Sequence, residues 1–279
     1  MTALSHWAQT GLRAQRNRAP VRFPRVKLRR AAPLLGLAVP SALLGAWYIA
    51  TAAHWVPEQI LPAPATVLEA FAALVRNGDL QNNLAVSLSR VAYGFGAGTI
   101  AGLLFGAGMG FSDPFARLVR PTFLIIAQIP ILAWLPFFML LLGIGEALKV
   151  VLVAKAVFTP ITLATSTGIR GVPQSYLELA RILQLSRWRT LTRVVLPAAL
   201  PQLFSGFRYG LTHAWLALVA VELLASYEGI GYLMVYSRQL FQLDVMVAIM
   251  LVIGAVGLLF DRLLALGEAW LTRRYGGAP

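Results

Sequence analysis

Long apolar runs alternate with short polar segments along this chain, and within each run the apolar residues are nearly continuous. Most runs contain about 20 residues, the length that an α-helix needs to cross the hydrocarbon core of a bilayer. Membrane barrels use strands of about 10 residues with alternating hydrophobicity, so the pattern excludes a barrel. The sequence therefore predicts an all-α integral membrane protein with six transmembrane helices, at residues 33–53, 84–111, 121–142, 147–167, 203–226 and 245–266.

The composition supports this prediction and limits the chemistry. Hydrophobic residues make up 58% of the 279 residues and charged residues 13%, whereas soluble domains average about 45–50% and about 25%. There is no cysteine, which excludes disulfides and cysteine metal sites. The three histidines are far apart and no glycine-rich phosphate loop is present, so we expect no metal, no bound cofactor and no catalysis by this chain.

The cations are distributed unequally between the two sides of the predicted bundle. Eight precede the first span, and the side to which they belong carries 18, whereas the other side carries three. Cytoplasmic segments are enriched in lysine and arginine, so we expect both termini in the cytoplasm. We predict a basic cytoplasmic tail at residues 1–31, one membrane domain at 32–272 and a C-terminal tail at 273–279. Anionic lipid would attract the basic tail, and no nucleic-acid partner is expected.

The second predicted span carries a glycine at every fourth position over five positions. Glycine at this spacing forms a groove that lets another helix backbone approach closely. We expect the groove to pack against a helix of this subunit or of a twin, and the alternative is a sliding surface used in gating. The glycines are Gly94, Gly98, Gly102, Gly106 and Gly110.

One polar stretch, residues 170–201, interrupts the apolar sequence and is placed in the cytoplasm by its charge. After Pro173, apolar residues at three- and four-residue spacing predict a short amphipathic helix. Glu178 and Arg181 are close enough on it to pair. Such a helix could lie on lipid headgroups or insert into a groove on a partner protein. Its apolar stripe consists of Tyr176, Leu179, Ala180 and Leu183.

The same stretch resembles the EAA loop of ABC-importer permeases, in which Glu-Ala-Ala is followed by three residues, a glycine, nine residues and Ile-x-Leu-Pro. Glu178, Leu179 and Ala180 stand at the first three positions, and Leu196 and Pro197 stand at the last two. The spacing agrees throughout, and leucine in place of the first alanine is a mild departure.

Gln184 is the larger departure from that pattern. It stands at the position of the usual glycine, where the loop turns between two short helices. The turn can instead fall at Ser186, whose hydroxyl is able to cap the next helix. The substitution affects the expected backbone of the loop and not its expected role.

The resemblance extends over nearly the whole chain beyond the tail. Segments such as SLSRVAYGFGAG, ELLASYEGIGYLM and DRLLALGEAW are similar to the sulfonate/taurine/nitrate branch of these permeases. The resemblance implies the type I ABC-importer permease fold with a cytoplasmic coupling helix, in the bacterial inner membrane. The residues that it implies for ATPase coupling are Tyr176, Glu178, Leu179, Ala180, Arg181, Leu183, Gln184, Ser186, Leu196 and Pro197.

The partners are also implied by the resemblance. It implies a homodimer of this chain, two cytosolic ABC ATPase subunits that bind ATP and Mg, and a periplasmic or lipid-anchored substrate-binding protein. The implied cargo is a small anion, an aliphatic sulfonate or taurine. Nitrate, bicarbonate and other small solutes are alternatives.

Ionisable residues inside the predicted spans are functional candidates, because burying a charge in lipid costs at least about 2.5 kcal/mol. Arg208 can snorkel to the interface, whereas Lys155 lies deeper and is expected to line a pathway or to pair with Glu222. Polar residues beside span prolines are weaker candidates, because kinks free backbone carbonyls. The predicted pathway residues are Gln128, Lys155, Thr159, Arg208, His213 and Glu222.

Two other functions are compatible with a helical bundle that carries such a loop. A membrane scaffold could recruit cytosolic proteins through the loop and move nothing, but it would have little use for intramembrane polar residues and span prolines. An ion-coupled secondary transporter is expected to contain internal repeats. No repeat is recognisable between residues 33–142 and 147–266. ATP-driven transport is the function that the resemblance to ABC-importer permeases implies.

Overall fold

The computed structural model describes the backbone of residues 32–275 and the side chains of residues 38–269. The predicted tail at residues 1–31 lies outside the described residues, as does the end of the C-terminal tail. The described part contains no β-strand. Its helices are α1 (Ala32–Ala52), α2 (Pro64–Asn77), α3 (Asp79–Phe111), α4 (Asp113–Ala127), a 3-10 turn (Ile131–Trp134), α5 (Leu135–Leu142), α6 (Glu146–Arg170), α7 (Gln174–Ile182), α8 (Arg187–Thr190), a π-helical turn (Leu191–Val195), α9 (Leu196–Ala225), α10 (Ile230–Gln239) and α11 (Leu243–Tyr275).

Three of the described helices, α3, α6 and α11, are long and apolar enough to cross a membrane singly. Two more spans result if each bent pair of helices counts as one. The pairs are α4 with residues 131–142, bent by 95°, and residues 187–225 with α10, bent by 41°. Residues 38–52 of α1 form a shorter apolar helix. The all-α membrane fold is confirmed, and the count of six spans stays a prediction.

The third predicted span, residues 121–142, is two helices in the structure. The chain leaves helical geometry after Ala127 and turns by 95° before it resumes at Ile131. Pro130 explains the break, because proline lacks an N–H and disfavours helical backbone at the preceding residue. Pro136 does not interrupt α5, since it lies in the first turn of that helix, where the missing N–H has no helical partner.

Two predicted spans begin earlier than the hydrophobic pattern indicates. α3 begins at Asp79, in a polar segment, and α9 begins at Leu196, with Pro197 in its first turn and Pro201 inside it. Polar residues and prolines weaken the apolar signal, but neither prevents a helix end from extending beyond the bilayer. At the other end of the chain α11 continues to Tyr275, past the predicted domain boundary at residue 272.

α6 packs between α3 and α9 in the described bundle. It buries Leu148, Leu152, Val153 and Val157 completely. α9 also packs against α11, and α10 and α2 contact α11 as well. The break after α4, the middle of α6 and the middle of α9 meet at one place, where four of the six candidate pathway residues lie.

The glycine series of α3 is the surface on which α6 packs. A Cβ added at Gly94 would lie 2.5 Å from Cγ1 of Val153, and one at Gly106 would lie 2.7 Å from the backbone oxygen of Thr162. Both distances are shorter than van der Waals contact, so a larger residue would push the helices apart. The predicted close packing is confirmed, and the partner helix belongs to the same chain.

Candidate coupling and translocation sites

The polar loop contains the short amphipathic helix that the sequence predicts. α7 begins after Pro173, and its Ala180 packs inward with 3% of its surface exposed. Tyr176, Leu179 and Leu183 are 53%, 54% and 60% exposed. Three residues of the predicted stripe are therefore available to a partner, and the fourth holds the helix against the protein. An exposed apolar patch of this kind is typical of an interaction surface.

Gln184 makes the turn that ends α7, in the position of the usual glycine. Its φ of 48° lies in the left-handed region. Its N–H donates to the carbonyl of Arg181 at 2.9 Å, and the N–H of Leu185 donates to the carbonyl of Ala180 at 3.0 Å. These two bonds define the Schellman motif, whose left-handed residue is most often glycine. The turn therefore falls at Gln184 and not at Ser186, whose hydroxyl caps α8 as expected.

A groove of about 290 Å³ opens between α7 and the segment that leads into α9; we name it the coupling groove. It joins the beginning and the end of the Glu178–Pro197 pattern into one surface. Leu196 is 45% exposed and lies outside the lining of the groove. The lining residues are Tyr176, Leu179, Ala180, Leu183, Leu185, Arg193, Val194, Pro197 and Ala198.

The predicted ion pair between Glu178 and Arg181 is absent. Both side chains are exposed, and among the described residues neither forms an ion pair or a side-chain hydrogen bond. An exposed pair on one helix contributes only about 0.3–0.5 kcal/mol, which is too little to hold two hydrated side chains together. Both charges therefore remain available for contacts with a partner.

Four of the six predicted pathway residues line a single cavity of about 430 Å³, which we name the polar cavity. Gln128 comes from the break after α4, Lys155 and Thr159 from α6, and His213 from α9. The rest of the lining is formed by isoleucine, leucine, alanine and proline residues. A few polar groups on apolar walls are typical of sites for small molecules.

Lys155 is the cation of the polar cavity. Its Nζ donates to the backbone oxygen of Ile129 at 3.1 Å and lies 5.3 Å from the centre of the Trp134 ring. Among the described residues no carboxylate pairs with it. Nδ1 of His213 is 2.8 Å from the carbonyl oxygen of Tyr209. Since a carbonyl only accepts, Nδ1 carries the hydrogen, and within the described residues Nε2 bonds to no group.

Arg208 lies apart from the polar cavity, in an ion network between α9 and α11. Its Nε donates to Asp261 at 2.8 Å, and its Nη1 donates to Glu268 at 3.2 Å. The hydroxyl of Ser205 donates to the same Glu268 at 2.6 Å. Arg208 thus joins two helices, and the structure does not bring it together with the other pathway candidates.

Glu222 also lies apart from the polar cavity, and its predicted pairing with Lys155 was wrong. Glu222 is 1% exposed and accepts a hydrogen bond from Nη1 of Arg90 at 2.8 Å. It further accepts from the hydroxyl of Ser87 at 2.9 Å and from the N–H of Gly231 at 3.0 Å. The carboxylate is buried and its hydrogen-bonding capacity is used.

Arg90 is the centre of an ion cluster that the sequence analysis missed; we name Arg90, Glu146, Lys149, Glu222 and Glu228 the arginine cluster. The guanidinium donates to Glu146 at 2.6 Å and to Glu228 at 2.9 Å in addition to Glu222. It ties α3 to the start of α6 and the end of α9. The sequence contained a signal for this residue. Arg90 is an ionisable residue inside a predicted span, and the same criterion selected Lys155.

Comparison with known proteins identifies the family. Residues 98–275 match the family described as "Binding-protein-dependent transport system inner membrane component". The chain is 34% identical to SsuC of Bacillus subtilis (strain 168), which is named as an aliphatic sulfonates transport permease protein, over 85% of this chain and 86% of that protein. It is 33% identical to the nitrate import permease protein NrtB of Synechocystis sp., over 93% and 95% of the two chains.

A third relative and a solved structure agree with this family. The taurine transport system permease protein TauC of Escherichia coli (strain K12) is 31% identical over 86% of this chain and 88% of that protein. A chain of the MetNI methionine ABC transporter in an inward-facing conformation matches with a TM-score of 0.58 at 18% identity, over 67% of this chain and 93% of that chain. At that identity the match establishes the fold. The chain belongs to the binding-protein-dependent transport system inner membrane components, as an ABC transporter permease of the sulfonate/taurine/nitrate branch.

Proposed function

We propose that this chain is the permease subunit of an ATP-driven importer that carries an aliphatic sulfonate or taurine into a bacterial cell. The observation that carries the proposal is the coupling groove. The exposed apolar stripe of α7 is joined there to the start of α9, and the middle of α9 lines the polar cavity. The printed names of the relatives, which refer to aliphatic sulfonates, taurine and nitrate, support a small anion as cargo.

Two cytosolic ATPase subunits would hold the ATP and Mg, and this chain would be non-catalytic. Tyr176, Leu179 and Leu183 would insert into a groove on one ATPase, as the apolar faces of amphipathic helices do. Glu178 and Arg181 would meet opposite charges at the rim and fix the orientation of the helix. Their exposure and lack of partners among the described residues support this arrangement.

The proposed transporter contains two copies of this chain and a periplasmic or lipid-anchored substrate-binding protein. Both termini and the coupling groove would face the cytoplasm, and the binding protein would dock at the opposite side. The 18 cations on one side against three on the other support this orientation. The arginine cluster would then lie at the periplasmic end of the bundle.

The polar cavity would form part of the translocation pathway. α9 also exposes Tyr209, Thr212 and His213 within its membrane-spanning length. Polar side chains are unfavourable against lipid, so this face of α9 is expected to line a water-filled path or to meet the second copy. ATP binding would draw the ATPases together, move α7 and open the cavity to one side of the membrane at a time.

Nitrate is the alternative cargo with support from a relative, since NrtB is named as a nitrate importer. Bicarbonate and other small solutes would use the same subunit. In an importer of this kind the substrate-binding protein would supply much of the selectivity. The anion that reaches the pathway would then be the one that the binding protein delivers. The choice between sulfonate and nitrate is therefore decided by uptake measurements.

The test is reconstitution of the chain with an ABC ATPase and a substrate-binding protein from the same organism. ATP-dependent uptake of radiolabelled taurine, an alkanesulfonate and nitrate is measured in proteoliposomes, together with co-purification of the ATPase. Leu179→Asp places a charge in the coupling groove and should lower both readings at least about tenfold, as expected for the centre of an interface.

Gln174→Asp is the matched control, because Gln174 lies on the opposite face of α7 and outside the groove. It should leave both readings near those of the unmodified protein. If Leu179→Asp behaved like the control, the coupling role of the groove would be refuted. If the ATPase bound and none of the three anions entered, the proposed sulfonate or taurine cargo and the nitrate alternative would both be wrong.

A further inference from the structure

Among the buried and half-buried cations of the described spans, Lys155 is the one without a carboxylate partner. Arg90 pairs with Glu222 at 2.8 Å, Lys149 pairs with Glu146 at 2.7 Å, and Arg208 pairs with Asp261 at 2.8 Å. Within the same described residues, Lys155 has a backbone carbonyl and an aromatic ring. The bundle therefore supplies a counter-ion for each of these cations except the one that faces the polar cavity.

An ammonium group in this position is incompletely neutralised. Removing a charge from water is costly unless an opposite charge and hydrogen bonds replace the water. The carbonyl of Ile129 and the face of Trp134 each attract the ammonium, but both are dipolar or quadrupolar groups and carry no net charge. An anion that enters the cavity would supply the missing counter-charge.

The other polar groups of the cavity suit the same kind of ligand. Gln128 and Thr159 can each donate a hydrogen bond, and no carboxylate lines the cavity. Donors around one cation favour a small oxyanion, whose oxygens accept several charge-assisted hydrogen bonds. The cavity of about 430 Å³ leaves room for such an anion with a short organic group.

We infer that Lys155 is the anion-binding residue of the polar cavity and pairs with the sulfonate or other oxyanion group of the solute during passage. The inference that this anion is the transported solute rests on the proposed import function. Because the ammonium also bonds to the carbonyl of Ile129, the departing anion is replaced at once by a protein partner. Such exchange keeps the site weak enough for release, which transport requires.

The absence of cysteine from the sequence provides a direct test. Thr159→Cys places a single thiol one helical turn from Lys155, on the same face of α6. The full-length chain is studied in membrane vesicles with its ATPase partners. Its modification rate is measured with two methanethiosulfonate reagents of similar size, the anionic 2-sulfonatoethyl and the cationic 2-(trimethylammonio)ethyl compounds. At each time point the thiols that have not reacted are labelled with a maleimide polymer, and the fraction of the chain that shifts on a gel is recorded.

Addition of Lys155→Gln should lower the ratio of the anionic to the cationic modification rate about tenfold or more, because a unit charge in a half-buried site is weakly screened. Lys155→Arg keeps the charge and should restore most of the ratio. An unchanged ratio in Lys155→Gln would overturn the inference. Failure of both reagents to reach Thr159→Cys would overturn it as well, since aqueous anions would then not enter the cavity.

Asn82→Cys is the control position, because Asn82 is exposed and lies outside the polar cavity. Lys155→Gln should leave the rate ratio there unchanged. A parallel fall at both positions would overturn the inference by attributing the effect to net charge. Uptake measurements test the import function separately: a protein that takes up no anion would refute transport, while the rate ratio still decides the role of Lys155.

Discussion

Replacing Arg90 by methionine is expected to destabilise the bundle strongly. Arg90 is 1% exposed, and it is the one cation that pairs with Glu222 within the described residues. Methionine is unbranched and uncharged and fills the space of the arginine stem, so the variant removes the guanidinium with its ion pairs and keeps the packing of the stem. Glu222 would keep its bonds to Ser87 and Gly231, but its negative charge would remain buried without compensation.

The size of the effect follows from the burial of the three carboxylates around Arg90. Breaking a buried ion pair by removing one partner costs about 3–5 kcal/mol. The side chain of Glu222 is fully buried, whereas those of Glu146 and Glu228 are 59% and 57% exposed. The exposed carboxylates can hydrate and should contribute little. For a domain of this size the loss corresponds to a fall of roughly 6–20 °C in the unfolding midpoint.

The assay is thermal stability of the detergent-solubilised protein, measured as the fraction that remains monodisperse after heating. Glu222→Gln removes the uncompensated charge and can still accept hydrogen bonds from Ser87 and Gly231, so its addition to Arg90→Met should recover about half of the loss or more. Arg76→Met, at an exposed arginine, should change stability by less than about 0.5 kcal/mol. A midpoint for Arg90→Met within about 2 °C of the unmodified protein, or a double variant no more stable than the single one, would refute this reasoning.

The two remaining predictions concern backbone geometry. Gln184→Gly should stabilise the turn after α7 by about 1 kcal/mol, because glycine adopts the left-handed conformation without the steric cost of a side chain; slower amide hydrogen exchange at Leu185 measures this, and unchanged or faster exchange would contradict it. Gly98→Val should cost about 1–3 kcal/mol by overpacking, since a Cβ at Gly98 would lie 2.8 Å from the Cβ of Val157. Gly96→Val on the same helix should be tolerated, since nothing lies within 4 Å of a Cβ there, and equal losses of thermal stability in the two variants would argue against the packing explanation.

Local sequence patterns predicted the parts of this protein that depend on neighbouring residues. The four-residue glycine repeat of α3 predicted the close approach of a helix, and α6 provides it. The stripe of α7 predicted an amphipathic helix, and three of its four residues are exposed as a docking surface requires. The unusual residue at the glycine position of the loop, Gln184, was also recognisable from the sequence. The pattern predicted a turn between two short helices and left open whether it falls at Gln184 or at Ser186.

The pairing of charges could not be predicted in this way. Glu222 and Arg90 are 132 residues apart, and their contact depends on how α3, α6 and α9 are arranged in space. From the sequence, Lys155 is an equally reasonable partner for Glu222, since both lie inside spans. The break at Pro130 had a local cause that was visible, but its direction, which brings the carbonyl of Ile129 to Lys155, is a property of the tertiary fold.

α9 connects the coupling groove, the polar cavity and the arginine cluster. Pro197 at its start lines the coupling groove, His213 in its middle lines the polar cavity, and Glu222 near its end binds Arg90. At a rise of 1.5 Å per residue the distance along the helix from the first to the last is roughly 38 Å.

The two ends of α9 are held differently. At Glu222 a buried ion pair fixes it to α3, whereas at the coupling groove it follows the π-helical turn Leu191–Val195, a geometry often found at functional sites within helices. A partner that displaced α7 would therefore move the groove end of α9 more than the Glu222 end. His213 lies between the two ends, so the same displacement would shift it relative to Lys155 on α6. We expect the width of the polar cavity to change in this way when an ATPase moves the coupling helix.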